Sequence, residues 1–417
     1  MNFSHLANKL RSKITKFSGI LSQDLDKTAR RFVGEAVHGI MASQSVMLTE
    51  IGRQQESSIS LKKIEERFSR QLIKPKIWDC LHQRILSLAS SRVKDKTLLI
   101  LDLSDLKKKY AEKMEHMATV RDGSDGGELV DGYWTNQVIA AEVGSNEITP
   151  LHFSLYSQAS PDFTGENNQI LEAIDQVGSA VQNRGIWVID RGGDRDALYK
   201  PLLKKQRDFI IRMVGARDMI HQGQKARSLW LAVGCRLHYK KSFVRIIHGK
   251  EVQYNIRFGS VPVQLPDMDA PLNMVVVKGI SNKPMMLLTS LEIRHGEKDL
   301  WFIIQAYMKR WTIEETIRFI KQTYDLENIR VLKYTRLQNM MALLLAVFYF
   351  VAVVLDQTQK LAIMAGHILK SAKRVFGIPD FKYYALGDGL GNIFSRFPGQ
   401  LQKLAEIHQS QLSFGFG

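Results

Sequence analysis

Apolar residues recur at three- and four-residue spacing through residues 31–41, 46–53, 60–72 and 76–88, which predicts a helical region over 1–95. In the third of these helices Leu61, Ile64 and Phe68 form one stripe and Lys63, Arg67 and Arg70 another. The short turn Gln54-Gln55-Glu56-Ser57-Ser58 before it fits a helix-turn-helix, with the basic stripe as a candidate DNA-binding face. A small helical bundle with a solvated basic face has the same pattern. Near residue 97 the texture changes. Leu98-Leu99-Ile100-Leu101-Asp102-Leu103 is a short apolar run suited to a buried strand, and residues 133–143 and 149–156 predict two more. Residues 122–127 are a loop by composition. A helix over 168–182, a strand over 186–190, a helix over 197–205 and a strand over 209–214 follow. Three adjacent strands leading into α/β alternation predict a mixed α/β fold, a sheet flanked by helices.

Residues 215–297 break the alternation. Short β-like runs at 229–233, 243–247, 253–258, 274–277 and 285–289 are punctuated by Gly and Pro, and predict a β-rich insertion. Helix resumes over about 298–323, and a loop-rich tail is expected after Gly377. The domain expectation is therefore 1–95 as a helical DNA-binding region and 96–214 as the first part of a core. The insertion is 215–297, the second part of the core 298–356, and a C-terminal region with possible dimer contacts 357–417. The apolar run 340–355 falls short of the ~20 residues that span a bilayer and is expected to be a buried helix, with no membrane partner.

Charge sharpens this picture. The 417 residues hold 58 Lys+Arg against 42 Asp+Glu, a formal net charge of +16, which favours a polyanionic partner such as nucleic acid. Residues 1–95 carry 17 basic and 9 acidic side chains, half of that excess. Residues 211–250 carry nine Lys/Arg and one Asp. At 45% hydrophobic and 24% charged, the chain is not a disordered basic tail. Two cysteines exclude a disulfide framework and a four-thiolate zinc site, and fit reduced thiols in a cytoplasmic protein. Residues 1–30 have no continuous apolar core, so no secretory signal is expected.

Candidate chemistry begins with Asp102 and Asp190, both in or at the end of apolar strands, where an acid is costly unless paired or metal-bound. Either one alone could equally cap a following turn or helix. In the helix over 298–323, Tyr307, Arg310, Glu314 and Lys321 fall at offsets of 3, 4 and 7, on one face that Arg318 shares. By spacing alone this is also a solvated face with an Arg–Glu pair.

The pattern Tyr307-x2-Arg310-x3-Glu314-x6-Lys321 resembles the signature of bacterial DDE transposases of the insertion sequence 4 family. Asp102-Leu103-Ser104-Asp105 and Asp190-Arg191-Gly192-Gly193-Asp194 resemble that family's first two carboxylate motifs, and Leu287-Leu288-Thr289-Ser290 its last insertion strand. The resemblance covers about 97–350. It implies an RNase H-like catalytic core interrupted by a β-rich domain. It also implies two Mg²⁺ ions, with Mn²⁺ able to substitute, on the catalytic residues Asp102, Asp190 and Glu314. Tyr307, Arg310, Lys321 and Arg318 would be DNA contacts. Asp105, Asp194 and Glu315 are expected to be structural or to support the metal ligands. The implied activity is cut-and-paste movement of an insertion sequence, by cleavage at terminal inverted repeats and 3′-hydroxyl strand transfer. The implied setting is a homodimer on double-stranded DNA in the bacterial cytoplasm, at the nucleoid. The alternatives are a transposase-derived DNA-binding protein without catalysis, and a plain RNase H-like nuclease. The chain departs from the pattern in one place. Relatives hold a flipped base with a tryptophan near the last insertion strand during hairpin formation, where this chain reads Lys283-Pro284-Met285-Met286-Leu287. Met285 is the expected substitute; Trp230 and Trp301 are the other candidates for that role, with a place in the core as the reading expected of each.

Overall fold

The structure is a computed structural model, and it describes residues 2–108, 111–121, 127–247, 250–371 and 380–401. Helix α1 (Phe3–Leu21) starts where the Asn2 side chain accepts from the His5 amide, and it buries Leu6, Leu10, Ile14, Phe17 and Leu21 at helical spacing. Asp26 caps α2 (Lys27–Ser43) by accepting from the Thr28 and Ala29 amides. Helices α3 (Leu48–Arg53), α4 (Leu61–Leu72) and α5 (Lys76–Ala89) follow. Helix α4 turns Ile64, Phe68 and Leu72 inward, while Lys63 and Arg70 are exposed. Arg67 is drawn back to Glu35 of α2 at 2.7 Å, an inward pairing that its place in the basic stripe did not foretell.

The core strands are β1 (Leu98–Lys107), β2 (Ala118–Arg121), β3 (Leu129–Ala141) and β4 (Ile148–Tyr156). Helix α6 (Glu166–Ala180), β5 (Ile186–Ile189), α7 (Asp196–Lys204) and β6 (Asp208–Arg212) complete this half. Residues 122–126 of the expected loop lie outside the described residues. In the next segment β7 (Asp218–His221) and β8 (Gln224–Arg227) form a separate hairpin, followed by α8 (Ser228–Gly234). Strands β9 (Tyr239–Ile247), β10 (Lys250–Val263), β11 (Leu272–Lys278) and β12 (Met285–Thr289) extend the main sheet. The ten-stranded sheet runs β2-β3-β1-β5-β6-β12-β11-β10-β9, with β4 also on β3. Among the described strands only β1/β5 and β5/β6 pair in parallel. That is why β5, flanked on both edges and covered on both faces, is four consecutive buried apolar residues.

The C-terminal helices are α9 (Glu297–Lys309), α10 (Trp311–Thr323), α11 (Tyr334–Tyr349), α12 (Gln357–Ser371) and α13 (Tyr383–Arg396). The stretch Tyr334–Val354 is long and apolar enough to cross a membrane, but 89% of its apolar window is buried inside the protein. It packs on β4, α5 and α2, and one hydrophobic cluster runs from Leu6 to Phe394. The N-terminal helices thus share a core with the rest of the described chain.

Three expectations are corrected. The helix over 298–323 is two helices, because the Arg310 amide donates to Tyr307 O and the Ile313 amide to Arg310 O, i to i−3 bonds that tighten the chain between them. The run 229–233 is helical, with Ser228 and Ala232 four apart on the buried side. The tail after Gly377 contains α13, which packs on α12 and α2; residues 372–379 and 402–417 lie outside the described residues.

Candidate active site

Parallel pairing fixes the first two carboxylates. The β1/β5 register ends at Leu101 opposite Ile189, so Asp102 and Asp190 are the next residue on each adjacent strand. Sites of open α/β sheets form at such carboxyl ends. Asp190 Oδ1 accepts from the Gly192 amide at 2.7 Å and caps the tight turn Arg191–Gly193. Of the two glycines there, Gly193 is required by space and Gly192 is closely fitted. A Cβ on Gly193 would stand 2.7 Å from Ile189 Cγ2, and one on Gly192 would stand 3.0 Å from Asp190 Oδ1. The turn therefore folds tightly over the end of β5 and directs the Asp190 carboxylate back to its own backbone.

Arg310, at the break between α9 and α10, brings in the third acid. Its Nη1 lies 3.3 Å from Asp102 Oδ2 and its Nη2 2.6 Å from Glu314 Oε1. The guanidinium is buried and sits 5.9 Å from the Tyr307 ring centroid and 5.8 Å from that of Trp311. Burial pushes the Asp102 carboxyl up to about 7; Arg310 opposes the shift, while Asp190 and Glu314 add to it. Burial works against the charge on Arg310, but Glu314, Tyr307 and Asp102 outweigh it and raise its pKa. The cluster is thus a region of crowded negative charge held by one buried cation.

The other predicted residues fall into place around it. Lys321 lies 3.4 Å from Asp105 and 3.3 Å from Glu327, so it ties α10 to β1 and to the turn Leu326–Asn328. Arg318 is exposed and pairs with Glu315 at 2.6 Å. Tyr307 is 4% exposed, so its contact in this structure is with Arg310 rather than with solvent. Lys63, Arg67 and Arg70 lie on α4, outside this cluster. Asp194 is an anchor: its side chain accepts from Arg217 Nε at 2.7 Å, the Val214 amide at 2.7 Å and the Tyr199 hydroxyl at 3.1 Å. Arg217 also bonds the Asp194 carbonyl and pairs with Asp196. Sequence reasoning missed Arg217. Its only signal was a place in the basic stretch 211–250. It also missed Trp311, which is half exposed with Arg245 5.2 Å from its ring centroid.

The tryptophan expectations change as well. Met285 is buried on β12 opposite Val277 and offers no open face to a base. Trp301 packs against Phe243 and Phe258 as expected of a core residue. Trp230 is 75% exposed and is not in the core.

Among the described residues, no group of three or more His, Cys, Asp and Glu side chains is gathered closely enough to hold a metal ion. The donor chemistry nevertheless fits a hard divalent cation, since all three acids offer oxygen and their mutual repulsion calls for positive charge. Arg310 supplies that charge here. Two clefts of about 400 and 360 Å³ lie elsewhere, one beside Trp78 and His82, the other beside His116 and Tyr334. Neither is lined by these carboxylates.

A cryo-EM structure of a piggyBac transposase synaptic complex with hairpin DNA is similar to this chain at 12% identity and a TM-score of 0.42, covering 94% of this chain and 84% of that one. No curated protein matches the chain. The sequence profile of the family described as "Transposase DDE domain" matches residues 94–350. That match takes in both strand carboxylates and the Tyr307–Lys321 signature across more than half of the 417 residues, and the chain belongs to that family.

Proposed function

We propose that the chain is a cut-and-paste DNA transposase of the insertion sequence 4 type, with Asp102, Asp190 and Glu314 as its metal-binding and catalytic residues. The observation that carries this is the juxtaposition of Asp102 and Asp190 at neighbouring parallel strands, with Arg310 joining Asp102 to Glu314. The mixed sheet, in which antiparallel strands lead into two parallel pairings, supports an RNase H-like core with 215–297 as its insertion. Asp102, Asp190 and Glu314 would hold two Mg²⁺ ions. When bound, such ions activate an attacking oxygen and stabilise the leaving 3′-oxygen of a phosphodiester.

The chain's own groups do the rest. Arg310, released from Asp102, presents a fork suited to a phosphate, and Lys321 and Arg318 add point charge and a second fork along α10. The Tyr307 ring backs Arg310. Lys63 and Arg70, exposed on α4, contact flanking duplex, while Arg67 beside them is turned inward to Glu35. Two copies hold the two ends of one element in the bacterial cytoplasm, with 357–417 contributing dimer contacts.

The test uses purified protein, Mg²⁺ and duplex carrying the element's terminal inverted repeats. Nicking at the repeat ends followed by joining to a target is expected. Asp190→Asn and Glu314→Gln should bind DNA and fail to cut. Full cleavage by either variant would overturn the residue assignment. Binding without any cutting by the wild type would make the chain a non-catalytic DNA-binding protein, and cutting without end preference or joining would make it a nuclease.

A further inference from the structure

Helix α8 presents an apolar surface that the site above does not use. Leu229, Trp230 and Val233 are 44%, 75% and 66% exposed. Spacings of three and four residues put them on one side of the helix. The opposite side is fixed: Ser228 and Ala232 are buried, the Ser228 amide donates to Arg217 O at 2.8 Å, and the Arg217 amide donates to Ser228 Oγ at 3.2 Å. A tryptophan held in water on a rigid support marks a contact surface.

The surroundings indicate what it contacts. Residues 214–245 carry seven Lys/Arg and one acid, Asp218; from outside that stretch Asp194 and Asp196 pair with Arg217, and Glu297 pairs with Lys241 at 2.8 Å. Lys225 and Arg227 share that one carboxylate, at 2.9 and 3.1 Å, so the rim keeps net positive charge. Arg236 and Lys240 are exposed beyond the helix. An apolar centre inside a cationic rim matches a duplex, whose sugar carbons and base faces at an opened step are apolar and lie between two lines of phosphate. A protein partner of ordinary surface charge would leave most of the cations without counterparts. The patch is also joined to the second carboxylate. Arg217, bonded to Ser228, holds Asp194 at the end of the Asp190 turn.

We propose that α8 is a DNA-docking wedge, in which Trp230, supported by Leu229 and Val233, packs against base steps and sugars of duplex DNA while Lys225, Arg227 and Arg236 take the flanking phosphates. This rests on the reading of the chain as a protein that acts on DNA. It adds a contact surface outside the signature helix.

The experiment measures duplex binding by fluorescence anisotropy across a salt series, using the full chain. Trp230→Ala should weaken binding about tenfold or more, the scale of a lost aromatic–base contact. Its salt dependence should be unchanged, because no cation is removed. Trp230→Phe should retain most of the affinity. Arg236→Gln should instead flatten the salt dependence by about one counterion. Because Trp230 is exposed, the Ala variant should unfold at the wild-type temperature, which separates lost contact from lost fold. Wild-type affinity in Trp230→Ala, beside a wild type that binds and cuts DNA, would overturn the wedge and leave the proposed function standing. A change in oligomeric state without a change in DNA affinity would overturn it in favour of a surface between copies. A wild type that binds no duplex would overturn both.

Discussion

Arg310 holds the electrostatic balance of the carboxylate cluster. Among the described residues it is the one cation in contact with both Asp102 and Glu314; Arg310 and Asp102 are largely shielded from water, and Glu314 is 34% exposed. Removing one partner of a buried pair costs more than the pair contributes, because the charge left behind stays desolvated. Arg310→Gln should therefore lower stability by ~3 kcal/mol in divalent-free buffer. If the carboxylates are a divalent-cation site, Mg²⁺ should raise the unfolding temperature of Arg310→Gln more than that of the wild type, since the ion then has no guanidinium to displace. Thermal unfolding with and without Mg²⁺ measures this, and equal shifts in the two proteins would count against a metal site there. The three acids were legible in the sequence because strand ends and a spaced signature mark them. The bridge was not, since Arg310 to Glu314 looks like any i,i+4 pair until β1 brings Asp102 alongside.

At the scale of the element, the turn after β5 shows how a motif becomes geometry. Gly193 is needed because the chain folds back onto Ile189 and Ile211, while Gly192 lies against the Asp190 carboxylate that caps the turn. Gly193→Ala puts a methyl group against those side chains, and overpacking of this kind costs ~1–3 kcal/mol. The Asp190 carboxylate would move with its turn. Cleavage should therefore fall well below wild type while duplex affinity, carried by other surfaces, stays close to it. Anisotropy and a cleavage assay on the same preparation separate the two, and parallel losses would mean a general folding defect. Most long elements of this chain were readable, because α2 and α4 to α6 repeat their apolar residues over successive turns, although α1 was covered only by the general helical expectation for 1–95. Short runs were not. Residues 229–233 satisfy strand composition and helix spacing equally, and tertiary contact through Arg217 and Ser228 decided for helix. The break at Arg310 left no mark in the sequence either, because no Gly or Pro interrupts 298–323; the tightened backbone bonds around Arg310 arise in the folded chain.

At the scale of the whole molecule, one core unites helices that composition had set apart, and buried histidines lie at its seams. His38 of α2 meets Phe394 of α13 edge-on. His82 of α5 hydrogen-bonds His152 of β4 at 2.9 Å under the Trp78 ring. Burial depresses His38 and His82 to about 4 and holds His152 well below its ordinary value. The unfolded chain binds protons at these positions below pH ~6.5 and the folded chain does not, so stability must fall as pH drops from ~6.5 towards 4. At ~1.4 kcal/mol per unit, His38 and His82 each remove about 3 kcal/mol over that range, and His152 acts in the same direction. Asp102 acts in the opposite sense. Its folded value near 7 lets the native state take up a proton first, which offsets about 4 kcal/mol between pH 7 and ~4. The histidines outweigh it. Below pH ~4.5 a second loss begins, because Glu147, held down to about 2 by Lys382, Lys360 and Gln357 against the effect of its burial, must be protonated. Urea unfolding in divalent-free buffer at half-unit steps from pH 7.5 to 4.5 should show little change down to pH ~6.5, where proton uptake by Asp102 opposes the first losses, and a steady fall below it. His38→Leu should be less pH-sensitive than the wild type over that interval. A flat wild-type profile would mean that these rings are hydrated in solution, and that the seam between α2 and α13 is looser than the packing of Phe394 on His38 requires.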